Sequence, residues 1–151
     1  MADDISIRPV RAADIPTISI LDYEIFGQYA YRPFFIRQAY DVFGDLFLVA
    51  ENSENDIVGY VLGALESGIT EGWILSLAVK KEYRRRSIAN MLMEDVLKRF
   101  SARGATVVLL TVSPENEGAR KFYWALDFHD EEIVPDYFGQ GETRIVMRKD
   151  L

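Results

Sequence analysis

The amino-acid sequence predicts an α+β protein in which helices flank a mixed β-sheet. Three observations support this prediction. Apolar or alternating segments of strand length recur along the chain. Segments with helical periodicity lie between some of these predicted strands. Turn residues separate most of the predicted strands and helices from one another. The predicted order is strand, two helices, three strands, helix, strand, helix and two strands. This mixture of consecutive strands and strand–helix–strand units is typical of the α+β class.

The chain begins with a predicted strand and a predicted helix. Residues 5–8 alternate between apolar and polar side chains. Asp14 can cap the helix that follows, in which Ile18, Leu21 and Ile25 recur at helical spacing.

An aromatic stretch, residues 26–35, follows this helix. We interpret Phe34 and Phe35 as core residues, because large apolar side chains are usually buried. Tyr29 and Tyr31 lie in a predicted helix–helix loop, where they can line a pocket.

The remaining strands and helices follow the same periodicities. A helix is predicted over residues 88–100, and another after Ser113, with Ser113 as cap and Pro114 at the first helical position. On that last helix, Tyr123 lies on an apolar face. The six further strands are predicted at 46–50, 57–63, 73–79, 106–112, 128–134 and 144–147.

Composition limits the classes of function. A length of 151 residues predicts one domain over residues 1–151. A formal net charge of −7 argues against nucleic acid as a partner and favours a cationic substrate. The chain has no cysteine and one histidine, His129, which excludes disulfides and thiolate sites and argues against a histidine triad or a metal site.

The sequence also predicts an intracellular, cytoplasmic protein with no membrane partner. No apolar run approaches the roughly 20 residues that span a bilayer. Residues 1–4 are acidic at two positions, which is not the pattern of a signal peptide. The oligomeric state cannot be read from these features.

A basic loop between a strand and a helix predicts an anion site. Apolar residues 74–79 precede the loop, residues 84–86 are all arginine, and the small residues Ser87 and Ala89 stand at the start of the helix. Unpaired N–H groups and the helix dipole at such a position favour a phosphate group. An exposed basic turn with no ligand is the alternative interpretation.

Two motifs in this region and after it resemble those of the GNAT (Gcn5-related) N-acetyltransferases. Residues 84–89, Arg-Arg-Arg-Ser-Ile-Ala, are similar to the family's pyrophosphate loop R/Q-x-x-G-x-G/A, with Ser87 where a glycine usually stands. Residues 112–128 resemble V-x-x-x-N-x-x-A-x-x-F/L-Y-x-x-x-G-F, with Asp127 in place of glycine.

The resemblance implies the GNAT fold, in which the sheet is splayed at its two central parallel strands and acetyl-CoA binds across the gap. It implies that Asn116 contacts the pantetheine and that Tyr123 is the general acid that protonates the leaving thiolate. From spacing alone, Tyr123 could be a core residue and Asn116 a first-turn helix residue. The implied donor-binding residues are Leu77, Ala78, Val79, Arg84, Arg85, Arg86, Ser87, Ile88, Ala89, Asn116 and Tyr123.

The acceptor is predicted to be the α-amine of a protein or peptide N-terminus. Trp73 and Thr111 stand where several family members carry a glutamate base on a strand. At pH 7 an α-amine of pKa about 7.7–8.0 is roughly 10–20% neutral, whereas a lysine is neutral in about 0.04%. An enzyme without a strong base therefore favours the α-amine. Glu24, Glu66, Glu71 and Asp136 are candidates for a base acting through water.

The C-terminal part supports the same acceptor. Residues 135–143 resemble the tyrosine loop of the RimI and archaeal Ard1 type of N-terminal acetyltransferases, in which Tyr137 would cover the peptide backbone. The end of the strand over 74–79 is also similar to these enzymes, whereas Gly27 departs from their first-loop pattern. The acceptor-binding residues implied are Tyr31, Trp73, Ser76, Thr111 and Tyr137.

Two other functions fit the sequence. The first is a GNAT enzyme for a small cationic amine such as a polyamine, a diamino acid or an aminoglycoside, which would suit an acidic protein. The second is an acetyl-CoA-binding module without activity, in which Ser87 and the missing base mark decay.

Overall fold

The structure, a computed structural model, describes residues 4–151 and contains the elements in the predicted order. Residues 1–3, on which the expectation about a signal peptide partly rests, lie outside the described residues. The strands are β1 (Ser6–Pro9), β2 (Phe47–Glu51), β3 (Ile57–Ala64), β4 (Glu71–Val79), β5 (Val107–Val112), β6 (His129–Val134) and β7 (Arg144–Asp150). The helices are α1 (Ile15–Phe26), α2 (Pro33–Phe43), α3 (Ile88–Ala102) and α4 (Glu117–Ala125).

The strands form one mixed, mostly antiparallel sheet, so the predicted fold class is confirmed. Its strand order is β1-β2-β3-β4-β5-β7-β6. The central neighbours β4 and β5 are parallel, and each other neighbouring pair is antiparallel. The strand–helix–strand unit β4-α3-β5 explains this one parallel pair, because parallel neighbours need a crossover.

The two parallel strands part soon after they begin. Their pairing covers Glu71 with Val107, Gly72 with Val108, and Trp73 with Leu109. Beyond these pairs β4 stays with β3 and β5 stays with β7. The sheet therefore splays at its centre, as the resemblance implied.

A β-bulge lies on β4 where the strands part. Ile74 pairs with Gly63 and Ser76 pairs with Leu62, so Leu75 is an extra residue without an opposite residue on β3. The bulge changes the alternation of side chains: Ile74 and Leu77 face the core under α3, whereas Leu75 faces the core under α1 and α2.

Each face of the sheet carries its own core. On one face α3 packs through Leu92, Val96 and Phe100, and β2 contributes Leu48 and Ala50. On the other face α1 and α2 pack against the alternate β2 residues, with side chains that include Ile18, Leu21, Ile36, Ala39, Phe47 and Val49. The helices thus cover both faces of the sheet.

Phe34 is not a core residue, so that prediction is wrong. Its side chain is 65% exposed, whereas Phe35 is half-buried and stacks on Tyr31 at a ring distance of 4.6 Å. The reason is helical geometry: Ile36 and Ala39 turn one face of α2 to the sheet, and Phe34 lies about 200° from Ile36 around the helix.

Helix α4 begins three residues later than predicted. Residues 113–116 first form a turn in which the Asn116 N–H donates to the Ser113 carbonyl at 3.0 Å. Asn116 then caps the helix, because its Oδ1 accepts a hydrogen bond from the Ala119 N–H at 3.1 Å. Ser113 and Pro114 therefore belong to the turn, not to the helix.

The ring of Phe100 lies against two glycines of the sheet, and this contact predicts a large effect of one methyl group. A Cβ at Gly72 would lie 2.5 Å from Cε1 of Phe100. Gly72→Ala should therefore lower the free energy of unfolding by about 1–3 kcal/mol, as overpacked cores do. Chemical denaturation measures this change.

Gly118→Ala is the matched control for Gly72→Ala. At Gly118 the nearest atom to an added Cβ is 3.9 Å away, and a helical alanine gains up to about 1 kcal/mol over glycine. Equal stability of the two variants would contradict the close packing of Phe100.

Candidate functional site

A cavity of about 820 Å³ opens where β4 and β5 part. The bulge residues of β4, the end of β5 and the turn into α4 form its walls. The connection between α1 and α2 and the loop before β7 complete it. The lining residues are 74–77, 110–116, 141–144, Asp22, Phe26, Tyr29, Tyr31, Ala119, Tyr123 and Phe138.

One edge of β4 is open toward this gap. The Lys80 N–H donates to the Val58 carbonyl of β3 at 2.8 Å. Because N–H groups alternate along a strand, those of Leu77 and Val79 point away from β3. Within residues 4–151 no strand pairs with that edge beyond Trp73. This edge can therefore bind an extended ligand by backbone hydrogen bonds.

The basic loop after β4 leads into the N-terminus of α3. Arg85 and Ser87 both have left-handed backbones, with φ of 65° and 62°. Ser87 occupies the N-cap position, but its side chain forms no capping hydrogen bond. The first N–H groups of a helix have no helical acceptors, so this end of α3 can bind an anion. Glycine would adopt the Ser87 conformation without strain.

The arginines of this loop are exposed, and side-chain contacts fix the loop on the protein. The Arg84 Nε lies 3.4 Å from the Val79 carbonyl, and the Arg86 guanidinium stacks over Tyr83 at 4.9 Å. Asn52 of the β2–β3 turn donates to the Tyr83 hydroxyl at 3.0 Å. The loop therefore exposes positive charge while these contacts hold its backbone in place.

Helix α4 contributes Asn116 and Tyr123 to the cavity. The Asn116 oxygen is used by the helix cap, which leaves its amide NH2 group as a donor. The Tyr123 ring packs edge-on against Phe122 and Phe128, with centroids at 5.3 and 5.7 Å. Burial raises the pKa of Tyr123 to about 12, so its hydroxyl carries a proton at neutral pH.

A buried carboxylate that the sequence analysis missed lies on the opposite side of the cavity. Asp22 is fully buried, and its Oδ2 accepts from the Tyr31 N–H at 2.7 Å. Its Oδ1 accepts a short hydrogen bond from the Tyr60 hydroxyl, which also lies 2.7 Å from the Ser76 Oγ. One sequence signal was available: Asp22 follows Ile18 by four residues and so lies on the apolar stripe of α1.

The cavity mouth is crossed by a contact between two loops. The Tyr29 hydroxyl donates to Glu142 at 3.0 Å, and Glu142 pairs with Arg144 at 3.1 Å. Arg144 lies over the ring of Phe138 at 5.2 Å, and Phe138 contacts Tyr137 edge-on at 4.7 Å. Exposed aromatic rings therefore border the opening.

The structure brings together part of the residue set predicted from sequence. Leu77, Asn116 and Tyr123 line the cavity, as do the acceptor candidates Tyr31, Ser76 and Thr111. Val79 and the loop over residues 84–89 continue from the β4 edge, whereas the Ala78 side chain packs into the core under α1 and α2. Trp73 and Tyr137 also lie outside the cavity lining, as do the candidate bases Glu24, Glu66, Glu71 and Asp136.

Two features are absent from the described part of the chain, residues 4–151. These residues contain no group of three or more histidine, aspartate, glutamate or cysteine side chains placed to hold a metal ion. None of their helices is both long and apolar enough to cross a membrane.

Two sequence relatives and one solved structure match this chain over nearly its whole length. An uncharacterized N-acetyltransferase of Methanocaldococcus jannaschii is 31% identical over 95% of this chain and 90% of its own. An N-alpha-acetyltransferase of Saccharolobus solfataricus is 29% identical over 98% of this chain and 94% of its own. The crystal structure of Ard1 from Thermoplasma volcanium matches with a TM-score of 0.89, at 23% identity, over 100% of this chain and 99% of that one.

The pattern of one family matches residues 14–128, which include the splayed strands, the basic loop and α4. The resemblance to N-terminal acetyltransferases is confirmed by the similarity to the Saccharolobus N-alpha-acetyltransferase, and the likeness to the Thermoplasma Ard1 structure confirms the fold. The chain belongs to the acetyltransferase (GNAT) family.

Proposed function

We propose that this protein transfers the acetyl group of acetyl-CoA directly to the α-amine of a protein or peptide N-terminus. The observation that carries the proposal is the gap between β4 and β5, which joins an open strand edge and Tyr123 in one cavity. The name of the Saccharolobus relative, N-alpha-acetyltransferase, supports the same acceptor. A cytoplasmic location stays a prediction.

Acetyl-CoA fits the donor side of this gap. The N–H groups of Leu77 and Val79 can bind the pantetheine arm, and the loop over residues 84–89 can hold the pyrophosphate. A thioester needs no metal to react with an amine, so we propose a mechanism without one. With no cysteine in the sequence, transfer proceeds by direct attack of the amine.

Tyr123 is the proposed acid. A phenol with a pKa of about 12 stays protonated while the amine attacks, and its hydroxyl can donate to the thiolate that forms. A thiol has a pKa of about 8.5, so full proton transfer from this phenol to sulfur stays unfavourable even after the carbon–sulfur bond breaks. Tyr123 therefore acts by stabilising the developing negative charge on sulfur.

The cavity mouth favours a peptide over a small amine. Tyr29 and Phe138 are 60% and 63% exposed, and these rings border the opening along which a peptide backbone can lie. A polyamine would gain little from such apolar surface. We propose that the loop that carries Tyr137, whose ring contacts Phe138 at the opening, covers the first residues of a peptide.

Removal of basic charge from the loop should weaken donor binding. The double variant Arg84→Ala, Arg85→Ala should bind CoA at least about 10–100-fold more weakly, because the loss of even one charge-assisted contact costs about 1.5–3 kcal/mol. Titration calorimetry at two salt concentrations measures the affinity and its salt dependence. Arg37→Ala, in an exposed pair on α2, is the control and should bind CoA normally. Normal affinity in the double variant would place the pyrophosphate elsewhere.

Tyr123→Phe should lower kcat by about 100-fold or more, because it removes the hydroxyl and keeps the ring contacts with Phe122 and Phe128. Steady-state kinetics with acetyl-CoA and a peptide measures kcat, and thermal unfolding checks that Tm is unchanged. Tyr23→Phe removes an exposed hydroxyl of α1 and should have normal kcat. A fully active Tyr123→Phe enzyme would make Tyr123 a packing residue.

Mass spectrometry of acetylated peptides tests the acceptor. On peptides with both a free N-terminus and an internal lysine, the acetyl group should be found mainly on the α-amine, which at neutral pH has a free base fraction a few hundredfold larger. Spermidine is included as a competing acceptor. Acetylation mainly on lysine, or on spermidine in preference to every peptide, contradicts the proposed acceptor.

A further inference from the structure

We propose that Ser76, Tyr60 and Asp22 form a proton relay that takes a proton from the α-ammonium group of the acceptor. This inference rests on the proposed function and supplies the base that Trp73 and Thr111 cannot provide. It concerns the step before acetyl transfer, in which the ammonium must become a neutral amine.

The three side chains form a continuous path from the cavity wall to the interior. Ser76 lines the cavity, and its Oγ lies 2.7 Å from the Tyr60 hydroxyl. Tyr60 in turn donates its short hydrogen bond to Asp22, which is fully buried. The Tyr31 N–H donates to the second carboxylate oxygen at 2.7 Å and so fixes its orientation.

The hydrogen-bond inventory gives this path a direction. A carboxylate only accepts hydrogen bonds, so the one proton of the Tyr60 hydroxyl points to Asp22. The Ser76 hydroxyl must then donate to the Tyr60 oxygen. The Ser76 oxygen keeps a lone pair for a donor in the cavity, which is what an ammonium N–H requires.

The charges around Asp22 suit a cationic ligand. Its hydrogen-bond donors are the Tyr60 hydroxyl from β3 and the backbone N–H of Tyr31 from the connection between α1 and α2, and the Tyr31 hydroxyl donates to the Leu75 carbonyl. No arginine or lysine of the described chain forms an ion pair with Asp22. The other charged groups at the cavity are Glu142 and Arg144, which pair with each other, and Glu115.

The proton balance of the relay is simple. The ammonium N–H proton moves to the Ser76 oxygen, the Ser76 proton moves to the Tyr60 oxygen, and the Tyr60 proton moves to Asp22. The bound amine becomes neutral, both hydroxyls are restored, and Asp22 becomes a carboxylic acid. After product release the proton returns to solvent by the reverse path through the open cavity.

Burial adjusts the pKa of the two inner members of the path, Asp22 and Tyr60, in the required sense. It raises the pKa of Asp22, which makes this carboxylate a stronger proton acceptor than a surface aspartate. It also raises the pKa of Tyr60, so that hydroxyl stays protonated and only passes a proton on. Tyr60 and Ser76 thus conduct the proton without holding it.

The test is the pH dependence of kcat/KM for a peptide acceptor in the wild-type protein and in Ser76→Ala. With the relay, the wild-type enzyme uses the ammonium form, and its kcat/KM should stay level between pH 6 and about pH 8. Ser76→Ala can use only free amine, so its kcat/KM should rise about tenfold per pH unit until the α-amine pKa of about 7.7–8.0. The loss should be about 10–100-fold at pH 6.5 and a few-fold at pH 9.

A second variant tests the end of the relay. Asp22→Asn keeps the volume, but its amide donates toward Tyr60, which then donates to Ser76 and reverses the path. We expect the same rising pH profile as for Ser76→Ala. Ser19→Ala removes a buried hydroxyl of α1 that has no hydrogen-bond partner in the described structure, and its profile should match the wild type.

One outcome overturns the relay: parallel pH profiles for wild type and Ser76→Ala, which means that the loss is equal at every pH and that Ser76 has a merely structural role. If Asp22→Asn does not fold, the result for Ser76→Ala decides alone, because that change adds no buried charge. A wild-type protein that acetylates no peptide at any pH refutes the proposed function instead.

Discussion

Three paired positions between β4 and β5 hold the two halves of this sheet together, and the site depends on how early that pairing ends. The ring of Phe100 packs on Gly63 and Gly72, where the strands still touch. Beyond Trp73 and Leu109, β4 continues to pair with β3, and β5 continues to pair with β7. The gap allows residues from both faces of the sheet to line one cavity: Tyr123 from the α4 side, and Asp22 and Tyr31 from the α1 side.

Burial has opposite chemical uses on the two sides of this cavity. Removal from water raises the pKa of Tyr123 and of Asp22 for the same reason, because it disfavours the charged form of each. For the phenol this secures a proton to donate. For the carboxylate it strengthens the attraction for a proton. A single physical effect thus suits Tyr123 and Asp22 to the roles that we propose for them, an acid and a base.

Sequence reasoning was reliable where local chemistry decides the structure. Strand alternation, helix periodicity and the two motifs predicted the element order and the family. It failed at Phe34, because the direction of a helix face depends on the sheet beneath it. It missed Asp22 and Tyr60, since their contact joins residues 38 positions apart and no local pattern encodes that pairing. It also placed the start of α4 too early, because Ser113 and Asn116 can both cap a helix and in the structure Asn116 does so.

The extra residue at Leu75 shifts the alternation of side chains along β4 by one position. Before Leu75 the even-numbered residues of β4 face α3, and after it the odd-numbered residues do. Leu77 and Val79 therefore face α3. Ser76 and Ala78 lie on the α1 side, together with Tyr60. Deletion of one residue here would restore regular alternation. A regular ladder that instead kept every residue and paired Leu75 with Leu62 would exchange the faces of every later side chain of β4 and turn the other set of N–H groups toward the gap.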